Sequence, residues 1–554
     1  MRARWAGLVV VALALAGCGG VPSSGSVEPG SIIDPAALID VAFNPRGPQA
    51  GDSPSEIMLG FIAAATNPSN DYEVARLFLA DSFREEWDAD AITQIRTGVG
   101  QPRLISDTAY SYTVTSVAHV DEHGQYTEDA PAQQVLDFTF VQDGDDEWRI
   151  ASAPPGVVLT RETFNAIFEA HPLYFYDPTN TYLIPDLRWF PKTNRLATRV
   201  VRELLAGQAS WLQQGVTNTY VPTSTKLDSI VSIDAGVATV ALSEEASTAT
   251  ADQLQLLRQQ LRDSIGNVSS VVITVNGVTL EEQDGGPVPA TSNLAVEAQP
   301  LARQDDAFGY LKTSGTVSAL GGVSTEVVAL GATDATLLRD RSAAAVLTPT
   351  GVWLVPVSSD EPVQLDARPG LIAPTADNSG FVWSVPTSDA SAIIAHDATG
   401  QAFPISAPQF AGMQAVSFTV SRDGARALIL TSTPLGPRLY VAGIVRTEGA
   451  PTQLGTPVEL PVEQSSVALD ATWVDDNSVA VLRILADDEQ SSVALYQLGG
   501  ASRSLGRVAE GVSIVGGNGL DGLRVLTADG DVFQVRGNGW ANTGSTVTWL
   551  GTQQ

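Results

Sequence analysis

Val237-Ala238-Thr239-Val240-Ala241-Leu242-Ser243 and Val271-Val272-Ile273-Thr274-Val275-Asn276-Gly277 bracket the part of the chain whose reading decides the fold. Just upstream, Val231 and Ile233 alternate with polar residues, and Asp234-Ala235-Gly236 supplies a turn. Ala238, Val240 and Leu242 then alternate again, which predicts a hairpin with one buried face. Thr250-Ala251-Asp252-Gln253 has the form of a capping box. Leu254, Leu257, Leu261 and Ile265 follow at steps of 3, 4 and 4, the stripe of an amphipathic helix, and Gly266-Asn267 stops it. Asn276-Gly277 is the strongest short hairpin turn, so the strand at 271–275 doubles back. Leu196, Val200, Leu204 and Leu205 set a further helix in front, ended by Gly207. The predicted order over residues 195–300 is helix, hairpin, helix, strand, strand.

Moving toward the N-terminus, residues 159–194 concentrate large rings: Phe164, Phe168, Tyr174, Phe175, Tyr176, Tyr182, Trp189 and Phe190. Pro172, Pro178, Pro185 and Pro191 break the run. So many rings need cover, which predicts a connector packed between domains; a ligand-binding aromatic cage is the alternative. Residues 53–158 form an earlier unit. Ser53-Pro54-Ser55-Glu56 is a helix start, after which Ile57, Phe61 and Ile62 share a face. A second helix is expected from Tyr72, with Val74, Leu77 and Phe78 inward. Strands are expected at Tyr110–Val120, Val135–Val141 and Trp148–Ala151, the last two joined by a turn at Asp143-Gly144-Asp145-Asp146. Helices followed by an antiparallel sheet resemble the NTF2-like cone, an α+β fold.

From residue 301 to 554 the pattern is all-β. Similar apolar cores recur at Ala345-Val346-Leu347-Thr348, Phe381-Val382-Trp383-Ser384, Ala427-Leu428-Ile429-Leu430, Val479-Ala480-Val481-Leu482 and Leu523-Arg524-Val525-Leu526. Their starts are 36, 46, 52 and 44 residues apart. Several are led by a polar turn, such as Ser421-Arg422-Asp423-Gly424, and followed by a second strand, such as Leu439-Tyr440-Val441-Ala442. Multiple short strands recurring near 45 residues describe propeller blades. Five blades are read this way. A sixth or seventh would come from Phe308 to Leu337, or from strands at the two ends closing one blade. A two-sheet sandwich is the alternative.

At the other end, Arg2 and Arg4 precede an apolar run from Trp5 to Ala16, too short for the roughly 20 residues of a membrane span. A basic start, a short apolar core and small residues at its end describe a secretory leader, residues 1–17. Leu15-Ala16-Gly17-Cys18 resembles the lipobox of bacterial lipoproteins, and Cys18 is the only cysteine in 554 residues. That resemblance implies an N-acyl (palmitate) and S-diacylglyceryl modification of Cys18, whose several chains anchor far more firmly than one. Residues 18–52 carry Pro22, Pro29, Pro35, Pro45 and Pro48 among Ser and Gly, which predicts a flexible tether. A single cysteine excludes an intramolecular disulfide. The net charge of −31, which loss of Arg2 and Arg4 takes to −33, disfavours nucleic acid and anionic lipid headgroups as partners. A hydrophobic content of 44% is that of a globular chain, and the length predicts three or four domains.

The residues that carry chemistry are few. His119 and His123 flank Asp121-Glu122, which reads as a solvated turn; zinc would need a further ligand from another element. His171 precedes Pro172, and His396 falls on a strand or turn of the β region. No serine stands in a nucleophile elbow. Gly51-Asp52-Ser53 is similar to a lipase motif, but Ser53 caps a helix. Gly516-Gly517-Asn518-Gly519-Leu520-Asp521-Gly522-Leu523-Arg524 fits the calcium nonapeptide in letters; one copy lacks the tandem neighbour that shares each ion. No catalytic residue, cofactor or metal ligand is assigned. An enzyme would have its site at the mouth of the propeller channel.

Taken together, the lipobox, the runs 237–243 and 271–277 and the propeller-like region resemble the actinobacterial lipoprotein LpqB family, residues 195–300 matching its GerMN domain. The resemblance implies a lipid-anchored, extracytoplasmic cell-membrane protein that is not an enzyme. It also implies an accessory role to a two-component sensor histidine kinase, through that kinase's extracytoplasmic domain, affecting cell envelope and division. A cell-envelope glycan-binding protein or propeller hydrolase is the alternative function.

Overall fold

The computed structural model describes residues 45–554 except 214–215, 282–285, 293, 297–298, 359–360, 487–489 and 538. Cys18, the leader and the tether up to residue 44 lie outside the described residues. Residues 45–554 pack as one compact unit.

The chain enters through α1 (Pro54–Ala64). Ser53 Oγ accepts from the Glu56 amide while Glu56 Oε2 accepts from the Ser53 amide at 2.8 Å, and Ile57, Met58, Phe61 and Ala64 turn inward. The helix expected from Tyr72 is cut to single turns, α2 (Glu73–Arg76) and α3 (Asp81–Arg84), because Tyr72 itself sits at φ 57. Five strands follow: β1 (Ile92–Ser106), β2 (Ala109–Asp121), β3 (Tyr126–Gln142), β4 (Trp148–Ser152) and β5 (Val157–Thr160). Their order is β4-β3-β2-β1-β5, antiparallel except for β1 with β5. Register shifts along β1 and β2 mark bulges, which bend strands.

The aromatic segment is regular through its prolines. After α4 (Arg161–Ile167) it forms a long hairpin, β6 (Phe168–Tyr176) and β7 (Leu183–Pro191). Its rings divide between two cores. Phe164, Phe168 and Trp189 pack with the N-terminal unit. Leu173, Phe175 and Phe190 pack with Val200, Val240, Leu257 and Ile273 of the next.

That next unit contains α5 (Leu196–Ala206), β8 (Ser232–Asp234), β9 (Val237–Leu242), α6 (Ala251–Ile265), β10 (Ser270–Val275) and β11 (Val278–Thr279), in the order of elements read above. The sheet runs β11-β10-β9-β8, and α6 makes the crossover between the parallel β9 and β10. Thr250 Oγ1 accepts from the Gln253 amide, completing the capping box. The buried face of α6 is wider than its leucine stripe. Gln259, Gln260 and Ser264 are also buried, because the hairpin covers the side the sheet does not. Ser264 Oγ accepts from the Tyr174 amide, and Tyr176 Oη donates to the Leu256 carbonyl.

The C-terminal region is a closed ring of six blades among the described residues. Their innermost strands are Trp549–Gln553, Asp334–Leu337, Thr375–Ala376, Gln414–Val420, Val467–Trp473 and Gly511–Val515. Each touches the next, and Gly511–Val515 returns to Trp549–Gln553. Five blades follow the sequence in order. The first takes Leu301–Gln304, Ala307–Leu311 and Val317–Ala319 from the start of the region and its inner strand from the end: Leu301 faces Gly551 and Arg303 faces Trp549. The first blade, additional to the five read from the recurring cores, is thus built by the two ends of the region.

Candidate functional site

The inner strands leave the ring through tight turns, and those turns build its mouth. An aspartate caps several of them, its carboxylate accepting from amides two residues on. Asp377 Oδ1 takes the Ser379 and Phe381 amides, Asp423 Oδ1 the Ala425 amide, and Asp475 Oδ1 the Asn477 amide at 2.9 Å. Above the turns lies a cavity of about 360 Å³, bounded by Thr419, Trp473, Asp475, Asp476, Thr552 and Gln553 from the ring. Leu183 of the hairpin and Leu294-Ala295 of the linker cover it from the other side. The cover is itself structured: Leu183 donates to Thr291 O at 3.0 Å, and Thr291 donates to Thr181 O at 2.9 Å.

Arg422 crosses this mouth. Its guanidinium donates to the Gly517 carbonyl and Asn518 Oδ1, to Gln553 O at 3.3 Å and to Leu294 O at 3.5 Å. Asn518 in turn holds Val296 through both its amide atoms, at 3.1 Å each. One side chain from the fourth blade thereby ties the sixth, the closing strand and the linker. Burial, with Arg339 adding repulsion, pushes Arg422 down to about 10. Burial raises Asp476 above the usual carboxylate range. The Trp473 ring is covered by the Arg426 guanidinium at 5.1 Å and offers no open stacking face on that side. Of the acids at the mouth, Asp423 is paired with Arg426, while Asp475 and Asp476 line the cavity.

The histidines are dispersed. His119 pairs with Asp129 at 2.7 Å, and His123 reaches Glu203 of α5 at 3.0 Å across a cleft between the first two units. His171 meets the Ser264 carbonyl, and burial lowers its pKa. His396 lies on the third blade beside Ser384 and Asp366, and sequence reasoning gave no hint of this trio. Ser384 Oγ donates straight to Asp366 Oδ2 at 2.6 Å, His396 Nε2 stands 3.4 Å from Ser384, and His396 Nδ1 has no hydrogen-bond partner among the described residues. A relay would put the acid on Nδ1, and all three are buried. Among the described residues no group of three or more His, Cys, Asp or Glu side chains is placed to hold a metal ion. Ser53 is a helix cap, and Asn518 of the nonapeptide-like run is the linker's clasp.

Two α/β units leading into a lid-covered six-bladed propeller define a multidomain, propeller-bearing class of chain. Three family models fall on it in that order. The one described as Lipoprotein LpqB, N-terminal domain, matches residues 47–165. Sporulation and spore germination matches 172–281, and Lipoprotein LpqB beta-propeller domain matches 310–548. Lipoprotein LpqB of Cutibacterium acnes is 25% identical over 524 residues, covering 86% of each chain. Lipoprotein LpqB of Mycobacterium tuberculosis is 26% identical over 542 residues, covering 88% of each. Among solved structures, the first GerMN domain of the Bacillus subtilis sporulation protein GerM is 21% identical, with 22% of this chain and 94% of that one covered and a TM-score of 0.18. The chain belongs to the lipoprotein LpqB family.

Proposed function

We propose that this is a lipid-anchored, extracytoplasmic lipoprotein that acts without catalysis, as an accessory to a sensor histidine kinase in the same membrane. The observation that carries the reading is the sole cysteine, Cys18, standing in Leu15-Ala16-Gly17-Cys18 ahead of a chain of this family. The state of the propeller mouth supports it: Arg422, Asp423 and Asn518 are engaged in holding the fold together. Among the described residues no helix is long and apolar enough to cross a membrane; the acyl chains on Cys18 supply the attachment in this reading. Anchoring confines the protein to two dimensions, and a modest interface then gains effective concentration.

Cross-linking in intact membranes, with captured partners identified by mass spectrometry, tests the partner. Capture of a sensor kinase's external domain, lost when that domain is deleted, is the expected result; recovery of wall glycan instead would move the function to envelope binding. Cys18→Ala is expected to give a folded protein released to the soluble fraction. A variant that stays in the membrane pellet would show that contacts other than lipid hold it.

A further inference from the structure

The N-terminal unit contains a cavity that its core does not fill. About 140 Å³ of space lies between α1, the sheet and the loop ahead of β5, with Phe61, Ala65, Leu136 and Phe138 forming its walls. Those four are almost completely buried. An apolar cavity of about 150 Å³ stays dry and takes up benzene. Collapse is blocked by the loop. Pro154 and Pro155 have fixed φ, and Gly156, at φ 80, donates to the Asp88 carbonyl at 2.7 Å. A Cβ on Gly156 would stand 1.9 Å from the Ile92 carbonyl oxygen, so the backbone is already as close as it can come.

The rim of the cavity is polar at one point. Gln94 of β1 and Gln134 of β3 both line it, and Gln94 Nε2 donates to Gln134 Oε1. That bond leaves Gln94 Oε1 as an acceptor and Gln134 Nε2 as a donor at the rim, with no other hydrogen bond among the described residues. Gln94 is only 8% exposed, and Gln134 is partly exposed at the rim. An acceptor beside a donor is the complement of one amide group, whose N–H and C=O present the same pair in reverse.

We infer that this cavity is a binding site for a neutral apolar group of about benzene size that carries an amide, the ring in the pocket and the amide on Gln94 and Gln134. A free small molecule and a hydrophobic residue of a peptide share that chemistry.

The test is calorimetric titration of the full chain carrying Cys18→Ala with benzamide, toluene and N-acetyl-phenylalanine methylamide. Benzamide is expected to bind one to one with a Kd of roughly 1 mM or tighter, within reach of a ligand this small. Gln94→Leu is expected to weaken benzamide about tenfold, the scale of one buried hydrogen bond, and to leave toluene unchanged. Ala65→Phe fills the space and is expected to abolish both. Binding of the peptide mimic at least as tightly as benzamide assigns the site to a polypeptide, and its exclusion assigns it to a free small molecule. Absence of saturable benzamide binding overturns the inference. So does benzamide binding that Gln94→Leu leaves untouched, a readout that stands even where Ala65→Phe fails to fold.

Discussion

Arg426 has none of its surface exposed, yet its guanidinium has one acid, Asp423, on Nη2 and the Trp473 ring above it. Nε and Nη1 have no hydrogen-bond partner among the described residues. Removing one member of such a pair strands the other charge, which costs about 3–5 kcal/mol. Asp423→Ala is therefore expected to lower the unfolding free energy of the propeller by that amount, read from its denaturant midpoint and slope, and a second change, Arg426→Met, to restore much of it. Asp334 carries the opposite lesson. Burial first, and then the Asp470 carboxylate, holds its pKa well above 3.8. A raised carboxyl pKa means the folded state binds the proton more tightly, so stability is present at acid pH and is lost as pH rises from the unfolded pKa through the folded one. Asp334→Asn keeps the shape and removes that loss. The melting temperature of the variant should exceed that of the parent at pH 7, and the difference should vanish below about pH 4, near the unfolded pKa. Equal gains at both pH values would show that titration is not the cause.

At the scale of elements, Thr250→Ala removes the acceptor of the Gln253 amide at the start of α6 and is expected to cost about 1 kcal/mol, read as a shifted denaturant midpoint with an unchanged slope. This helix was legible because its signals are local: the cap, the stripe and the stop lie within 18 residues. The β6–β7 hairpin was not, because Pro172 and Pro185 read as breakers. In a two-stranded ribbon every other amide points away from the partner, so a proline at such a place loses no ladder bond. Pro172 faces Leu187 and Pro185 faces Tyr174 in unbroken register. β1 went unread for another reason. Its outer half, beyond Arg96, is mostly exposed and does not alternate, so it carries no periodic signal. The propeller mouth was legible only in pieces, as the turns at 421–424 and 516–522, since its lining comes from positions between 183 and 554 that only closure of the ring brings together.

For the molecule as a whole, contacts bind the propeller to the units before it. Trp189 Nε1 donates to Gly499 O at 2.7 Å, and Ser502 donates to Glu128 Oε2 through its amide and hydroxyl. Mobility of the first unit relative to the ring should therefore be small. Trp189→Phe with Glu128→Ala is expected to speed proteolysis between them while leaving the melting of the ring near its parent value. Deleting residues 549–554 is expected to do the reverse damage. The first and second blades both lose the strand they share, and limited proteolysis should then degrade the region beyond residue 300; a truncated chain that melts and resists protease like the parent would show that the ring holds without its closure.

That closure also sets a schedule. Leu301 must wait for Gly551, 250 residues later, before its blade has an inner strand. A ribosome delivers the N-terminal units first, and until residues 549–553 emerge the ring has two open edges, which invite pairing with other chains and attack by proteases. The strand Trp549–Gln553 is in effect a latch: a copy terminated before it would leave both edges unpaired and open to proteolysis.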